Sequence, residues 1–356
     1  MVMLDGREYT REELLSYVSD LSQVGGVRLC TLDDGSERGV RMAEFRTGSG
    51  FAFDVLLDRG MDIGRAEHKG RALAWRSAAG TPHPAHYGPG IERFRRFFHG
   101  GLMAGCGLEN VGSPGEDEGE ALPADVRLSA TPASHVSYGG EWRGDEHILW
   151  VEGQMRQAVL FGSNLLLKRR VWAELGGDTL HIEDAIENQG QHEAPYQILY
   201  HCNFGYPLLS PDAGLLIDSE VWARDQDAEQ GLESWSSFHE PVADYPEQVF
   251  YHRPYSDDEG YGSAALINPT LGMGVVVRFR LAELPHLVQW KMMERGTYVL
   301  GLEPANCWVE GRAVDRQRGI LRTLEPGERV ELQLDIQVLP NDKVIGVYTG
   351  AGRGPS

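Results

Sequence analysis

A histidine and a glutamate stand at similar places in two apolar stretches of the chain. His201 follows the apolar residues 198–200, and Glu303 follows the apolar run 298–302. Both runs have the composition of β-strands, so each polar residue is predicted at the end of a strand. A histidine, which titrates near neutral pH, and a carboxylate facing the same cavity can remove a proton from one oxygen while protonating another. The two stretches therefore indicate a general acid–base pair made of Glu303 and His201.

The same two residues also have a purely structural interpretation. His201 would then make a hydrogen bond within the core, and Glu303 would be a solvated residue at the end of a strand. Residue type and spacing alone favour this second interpretation. Both interpretations remain open until further features of the sequence are considered.

Hydrophobic patterns with a period of two dominate the chain after a short N-terminal helix. Thr10 and Glu13 form a capping-box pattern, and the apolar residues that follow recur on one helical face. From residue 27 onward the period changes to two, and residues 148–188 and 330–338 alternate as antiparallel strands do. The sequence therefore predicts an all-β fold of antiparallel sheets with one short helix at its start.

Two segments are predicted to be loops near the site. Residues 78–97 are interrupted by prolines and are predicted to form an irregular, polar rim. His83 and His86 lie in this segment, where no strand or helix would fix the geometry of metal ligands, so we expect no metal site. Residues 221–262 contain many aromatic and acidic side chains, which either stack on a sugar or anchor the loop to the core.

Composition limits the partners of the protein. The chain has 33 basic and 53 acidic residues and a formal charge of −20, which argues against nucleic acids and anionic membranes as partners. The four cysteines are sparse and lack C-x-x-C spacing, and no N-terminal apolar run of signal-peptide length is present. We therefore expect a cytoplasmic protein. The assembly that we expect is a monomer or a homodimer.

The two apolar stretches resemble paired motifs of a known superfamily. His201 lies in an H-x-x-F-like strand motif and Glu303 in an L-E-P-like motif, similar to those of the aldose 1-epimerase (galactose mutarotase-like) superfamily. Four blocks of sequence are more similar to its DUF4432 branch, and they comprise residues 57–63, 100–112, 289–292 and 301–306. The resemblance covers almost the whole chain.

This resemblance implies a β-supersandwich whose concave sheet holds a monosaccharide or a sugar derivative. We expect a helical extension at residues 1–26, one domain of this fold at residues 27–345 and a C-terminal tail at residues 346–356. The implied activity is that of an aldose 1-epimerase-like isomerase that interconverts sugar anomers or epimers. Glu303 would take the proton of the anomeric hydroxyl while His201 protonates the ring oxygen, and no metal or nucleotide cofactor is needed.

The resemblance further implies a set of residues that contact the substrate, namely Arg59, Asp62, His99, Asp125, Arg127, Asn203 and Lys291. One position departs from the family pattern, because members of the DUF4432 branch usually carry Leu-His-Gly-Arg where this chain has Asp125 in place of the histidine. Either His99 reaches the same space, or the site works with one histidine and Asp125.

Three other interpretations remain open at the level of sequence. In a keto-sugar isomerase or lyase, Glu303 would abstract a proton from carbon while Lys291 or His99 stabilises the enolate. A metal-assisted enzyme would recruit His99, His201 or the region of Asp62. A non-catalytic sugar-binding protein would keep the fold without the reaction.

Overall fold

The computed structural model of the chain describes residues 1–88, 91–124, 127–341 and 346. Asp125 lies outside these residues. Residues 342–345 and the predicted C-terminal tail, apart from residue 346, also lie outside them. Within the described ranges β-strands dominate and helices are few and short. The prediction of an all-β fold with antiparallel sheets is therefore confirmed.

The strands are numbered in chain order. The first twelve are β1 (Val2–Leu4), β2 (Arg7–Tyr9), β3 (Gly26–Thr31), β4 (Arg41–Arg46), β5 (Phe51–Leu56), β6 (Asp62–His68), β7 (Arg71–Ala72), β8 (Met103–Leu108), β9 (Gly115–Asp117), β10 (Glu120–Leu122), β11 (Ser134–Arg143) and β12 (Glu146–Ala158). The remaining strands are β13 (Asn164–Glu174), β14 (Thr179–Asn188), β15 (Ala194–Phe204), β16 (Gly214–Ile217), β17 (Ser219–Ala223), β18 (Gln248–Pro254), β19 (Tyr261–Asn268), β20 (Met273–Arg280), β21 (His286–Glu294), β22 (Thr297–Ala305), β23 (Arg322–Leu324) and β24 (Arg329–Leu339).

Four short α-helices are described, and they are α1 (Arg11–Tyr17), α2 (Ile91–Phe97), α3 (Gln226–Glu229) and α4 (Arg312–Arg318). The predicted N-terminal helix is α1, and its capping box is present: the backbone N–H of Glu13 donates to Thr10, and the Glu13 carboxylate accepts from the backbone N–H of Thr10. The expectation that residues 78–97 are irregular is wrong for their last part. The prolines of this segment all precede α2, so they do not interrupt it. No helix in the described ranges is both long and apolar enough to cross a membrane.

Two large antiparallel sheets form the body of the molecule. One has eight strands in the order β11-β12-β13-β14-β24-β20-β19-β16. The other has twelve strands, of which ten follow the order β17-β18-β21-β22-β15-β8-β6-β5-β4-β3, while β23 pairs with β15 and β7 pairs with β6. A single hydrophobic cluster contains residues of both sheets, so the sheets pack face to face around it.

The alternation of side chains along β15 explains where a site can form. Tyr200 and Cys202 point into the core between the two sheets, where both are fully buried. Leu199 and His201 therefore lie on the opposite face of the twelve-stranded sheet. That face is covered by loops and by a smaller apolar cluster, to which Leu199, Val249 and Val288 belong. Around β15 the twelve-stranded sheet is thus buried on both faces, and polar side chains on its outer face lie beneath loops.

Candidate active site

His201 and Glu303 lie side by side on two neighbouring strands. The pairing of Leu199 with Ala305 and of Cys202 with Leu302 places His201 directly opposite Glu303 in the β15–β22 ladder. Residues opposite each other in antiparallel strands project to the same face. The Nε2 atom of His201 is 3.2 Å from Oε1 of Glu303. Both residues lie inside their strands and not at strand ends, which corrects the boundaries predicted from the sequence.

The two side chains form part of the wall of one cavity of about 470 Å³. The other described lining residues are Phe94, Arg95, Phe98, Gly112, Ser113, Pro114, Ala124, Leu199, Arg224, Glu247, Val249, Val288, Trp290 and Val309. Most of this lining is apolar or aromatic, and the charged groups are few and distinct. Such a combination is typical of sites that bind small molecules.

Aromatic rings enclose the imidazole of His201. Its ring centroid is 5.0 Å from that of Phe98 and 5.6 Å from that of Trp290, and the exposed fraction of the side chain is 14%. Burial among these rings disfavours the charged imidazolium and lowers the pKa of His201 to about 4. Asn203 and the carbonyl group of His201 itself act in the opposite sense. Burial therefore favours the neutral form of the imidazole.

Two charged side chains, Glu247 and Arg224, lie next to the aromatic wall of the cavity. The indole N–H of Trp290 donates to Oε1 of Glu247 over 2.9 Å, and Nη2 of Arg224 lies 3.4 Å from the other oxygen of that carboxylate. Arg224 also binds Asp225 over 2.8 Å. About half of the Glu247 side chain is exposed, so its carboxylate can accept hydrogen bonds from a ligand in the cavity.

The structure does not bring Arg59 to this cavity. Arg59 is fully buried, and its guanidinium donates to the carbonyl groups of Pro82, Phe97 and Ser129 and to the Ser129 hydroxyl. It also stacks over the ring of Phe97 at 3.8 Å, and burial lowers the pKa of Arg59 to about 10. Its donors are used by protein acceptors, so Arg59 bridges several segments in this structure.

Asp62 and His99 form a buried pair of their own. Oδ2 of Asp62 lies 3.0 Å from Nε2 of His99 and accepts a hydrogen bond from the Ser129 hydroxyl, while Oδ1 accepts from the backbone N–H of Gly105. Burial, followed by the charge of Arg59, lowers the pKa of His99. Neither residue belongs to the described lining of the cavity. Their hydrogen bonds link β6 to β8 and to the segment that precedes β8.

Asn203 and Lys291 lie on strands that carry or adjoin His201 and Glu303, but neither is among the described lining residues of the cavity. The side-chain amide of Asn203 donates to the carbonyl groups of Gly101 and His201 at 3.1 and 2.7 Å, and the residue is fully buried. Lys291 pairs with Leu300 on β22, an odd number of residues from Glu303, and therefore points to the opposite face of the sheet. There its ammonium donates to the carbonyl of Ser234 over 2.7 Å, and burial lowers the pKa of Lys291 to about 8.

Arg127 and Asp125 complete the predicted set. Arg127 forms an ion pair with the buried carboxylate of Glu109 and is not among the described lining residues of the cavity. Asp125 lies outside the described residues, although Ala124, next to it, lines the cavity. The structure therefore brings His201 and Glu303 together at the cavity wall. The described lining of the cavity does not include Arg59, Asp62, His99, Arg127, Asn203 or Lys291.

Sequence reasoning missed Phe94, Phe98, Trp290, Arg224 and Glu247 as lining residues. The alternation of side chains along a strand could have indicated Trp290, because it is next to Lys291 and must face the other side of the sheet. The other four lie outside any strand or beyond its end, where no periodic signal indicates direction. Among the described residues no group of three or more His, Cys, Asp or Glu side chains is arranged to hold a metal ion.

Comparison with protein families identifies one match over most of the chain. The model described as "Domain of unknown function (DUF4432)" matches residues 37–338. A search of curated proteins found no significant match. The match includes His201 and Glu303 and all of the predicted substrate-contact residues.

Solved structures show the same architecture. A Klebsiella pneumoniae protein, provisionally described as an aldose 1-epimerase, is 23% identical to the chain, with a TM-score of 0.86 over 91% of this chain and 86% of that one. A galactose mutarotase-like protein from Clostridium acetobutylicum has 14% identity and a TM-score of 0.58, covering 89% and 99% of the two chains. For the galactose 1-epimerase from Lactobacillus acidophilus the values are 11%, 0.54, 88% and 98%. At these identities the likeness concerns the fold, and it confirms the predicted galactose mutarotase-like architecture.

Proposed function

The chain belongs to the DUF4432 family, and from this premise we propose that it is a carbohydrate-active isomerase of the aldose 1-epimerase type. The single observation that supports the proposal most is the contact between His201 and Glu303 at the wall of the cavity. In a cyclic sugar the anomeric hydroxyl and the ring oxygen are bonded to the same carbon. Two groups 3.2 Å apart on one face can therefore reach both oxygens of one bound sugar.

The proton transfers balance within the pair. Starting from imidazolium and carboxylate, Glu303 accepts the proton of the anomeric hydroxyl and Nε2 of His201 gives its proton to the ring oxygen. The bond between C1 and the ring oxygen breaks, and an aldehyde forms. The pair then consists of neutral imidazole and carboxylic acid, with the same total number of protons. After rotation of the aldehyde, closure of the ring reverses both transfers and gives either anomer.

The burial of His201 determines which of its protonation states is populated. Because burial lowers the pKa of the imidazole to about 4, the imidazolium is a minor form at pH 7, and the reaction starts from that form beside the Glu303 carboxylate. A proton donor and a proton acceptor in contact suit a reaction in which one group gains a proton as the other loses one.

The walls of the cavity suit a sugar ring. Phe94, Phe98 and Trp290 offer aromatic surface for the apolar C–H faces of a pyranose, and Glu247 with Arg224 offers an acceptor and a donor for hydroxyl groups. Residues 221–262, which could either stack on a sugar or anchor the loop to the core, contribute Arg224, Glu247 and Val249 to the described lining and no aromatic ring. The aromatic contacts come from β21 and from residues 94–98.

Anomer exchange measured by saturation-transfer NMR on glucose, galactose and fucose tests the proposal. Wild type should exchange the anomers of at least one of these sugars faster than buffer, and Glu303→Gln and His201→Gln should each lower that rate about 10²- to 10⁴-fold. Glu331→Gln is the matched control, because Glu331 is an exposed carboxylate on the other sheet and should leave the rate unchanged.

Two outcomes would replace the proposal. Sugar binding without any acceleration of exchange, for the whole panel, would indicate a non-catalytic binding protein. Uptake of deuterium from D₂O at a sugar carbon, abolished in Glu303→Gln, would indicate a keto-sugar isomerase or lyase instead.

A further inference from the structure

Gly301 lies in β22 directly beneath the acid–base pair. It is two residues before Glu303 on the same face of the strand, and it pairs with Asn203 on β15 and with Trp290 on β21. A β-carbon added at Gly301 would lie 2.5 Å from Oε1 of Glu303, 2.9 Å from the β-carbon of Trp290 and 3.3 Å from Cε1 of His201. The space above this glycine is therefore occupied by the carboxylate itself.

The backbone at this position does not require a glycine. Gly301 lacks the positive φ that marks many other glycines of the chain, so a residue with a side chain can adopt its conformation. Glycine inside a strand lowers stability and commonly marks a place where another group approaches closely. Here the close group is the Glu303 carboxylate, which folds back along its own strand towards His201.

We propose that Gly301 is a positioning residue, and that the clearance above it seats the Glu303 carboxylate against Nε2 of His201. The inference rests on the proposed function for its effect on activity, but its structural content is independent of that function. Of the three neighbours, the β-carbon of Trp290 at 2.9 Å is also too close, and because it is fixed to the backbone of β21 it can be relieved only by a small separation of β21 from β22. The 3.3 Å approach to His201 is only slightly tight. The carboxylate at 2.5 Å is the terminal part of a side chain, so it must move.

Gly301→Ala is the direct test. The added methyl group should displace the Glu303 carboxylate by about 1 Å, and a displacement of that size costs about 10²-fold in kcat with little change in KM. Gly214→Ala is the matched control: Gly214 also lies in a strand without positive φ, and an added β-carbon there meets no atom within 4 Å. The control should keep wild-type kinetics, and a purely structural role of Gly301 would instead reduce the active fraction without changing the kcat of folded protein.

A double-variant comparison examines whether the effect acts through Glu303. Glu303→Asp shortens the side chain and withdraws the carboxylate from the space above residue 301. The combined Gly301→Ala, Glu303→Asp variant should therefore lose much less activity than the product of the two single losses. Independent, multiplicative losses would overturn the positioning role.

A crystal structure of Gly301→Ala separates this inference from the proposed function. We expect Oε1 of Glu303 to lie well beyond 3.2 Å from Nε2 of His201, whether or not the wild type exchanges anomers. An unchanged carboxylate position would refute the role of Gly301 and leave the proposed function intact. A displaced carboxylate in a protein that lacks exchange activity would support the role and refute the function.

Discussion

The buried imidazole of His201 predicts a specific loss of stability in mild acid. Burial lowers the pKa of His201 from 6.5 to about 4 in the folded protein, whereas the unfolded chain keeps the ordinary value. As pH falls below 6.5 the unfolded state binds the proton first, so the contribution of this residue to stability is present above pH 6.5 and is lost as pH falls towards 4. Integration of this difference gives a loss of about 2 kcal/mol between pH 7.5 and pH 5.

Urea unfolding of wild type and His201→Gln at pH 7.5 and pH 5 measures the contribution of His201 to this loss of stability. His252 and His286, whose pKa values burial also lowers to about 4, contribute equally to both proteins and cancel in the comparison. The free energy of unfolding of wild type should fall by about 2 kcal/mol more than that of His201→Gln. Equal losses in the two proteins, together with an NMR titration of His201 near pH 6.5, would refute the proposed burial of the imidazole.

Three further substitutions distinguish residues that contact the ligand from residues that support the fold. Trp290→Ala should raise KM about 10-fold through loss of aromatic contact, whereas Trp290→Phe should retain most of the affinity, as measured by exchange kinetics. Arg59→Met should lower the free energy of unfolding by about 3 kcal/mol, because it leaves buried carbonyl groups without donors, yet the kcat of the folded fraction should not change. Lys291→Met should leave kcat and KM unchanged, since Lys291 points away from the cavity, and a loss of activity without loss of stability would contradict that orientation.

Much of the fold was predictable because its signals are local. The alternation at residues 330–338 corresponds to β24 (Arg329–Leu339), and the Thr10–Glu13 pattern correctly indicated α1. The helix α2 was not predicted, because the prolines that precede it indicated an irregular segment. The helix itself is formed by only a few proline-free residues, too few to show a clear helical period. Short helices of this kind depend on packing rather than on sequence periodicity.

The site was predictable only in its central pair. Residues from the family-like blocks were expected to contact substrate, but blocks do not reveal which face of a strand a side chain occupies. Lys291 and Trp290 are neighbours in the chain and project to opposite faces of β21, so only the register with β22 distinguishes support from lining. Arg59 was expected at the ligand because it lies in one of these blocks, and in the structure its guanidinium donates to three carbonyl groups.

A structure of Glu303→Gln with a bound sugar tests the central claim most directly. The account predicts that the anomeric carbon lies over the His201–Glu303 pair, with Nε2 of His201 and the side chain of residue 303 within about 3.2 Å of the two oxygens on that carbon. The sugar ring should rest against Trp290 or Phe98. A sugar bound elsewhere on the protein, or bound in this cavity with its anomeric carbon turned away from both residues, would contradict the account.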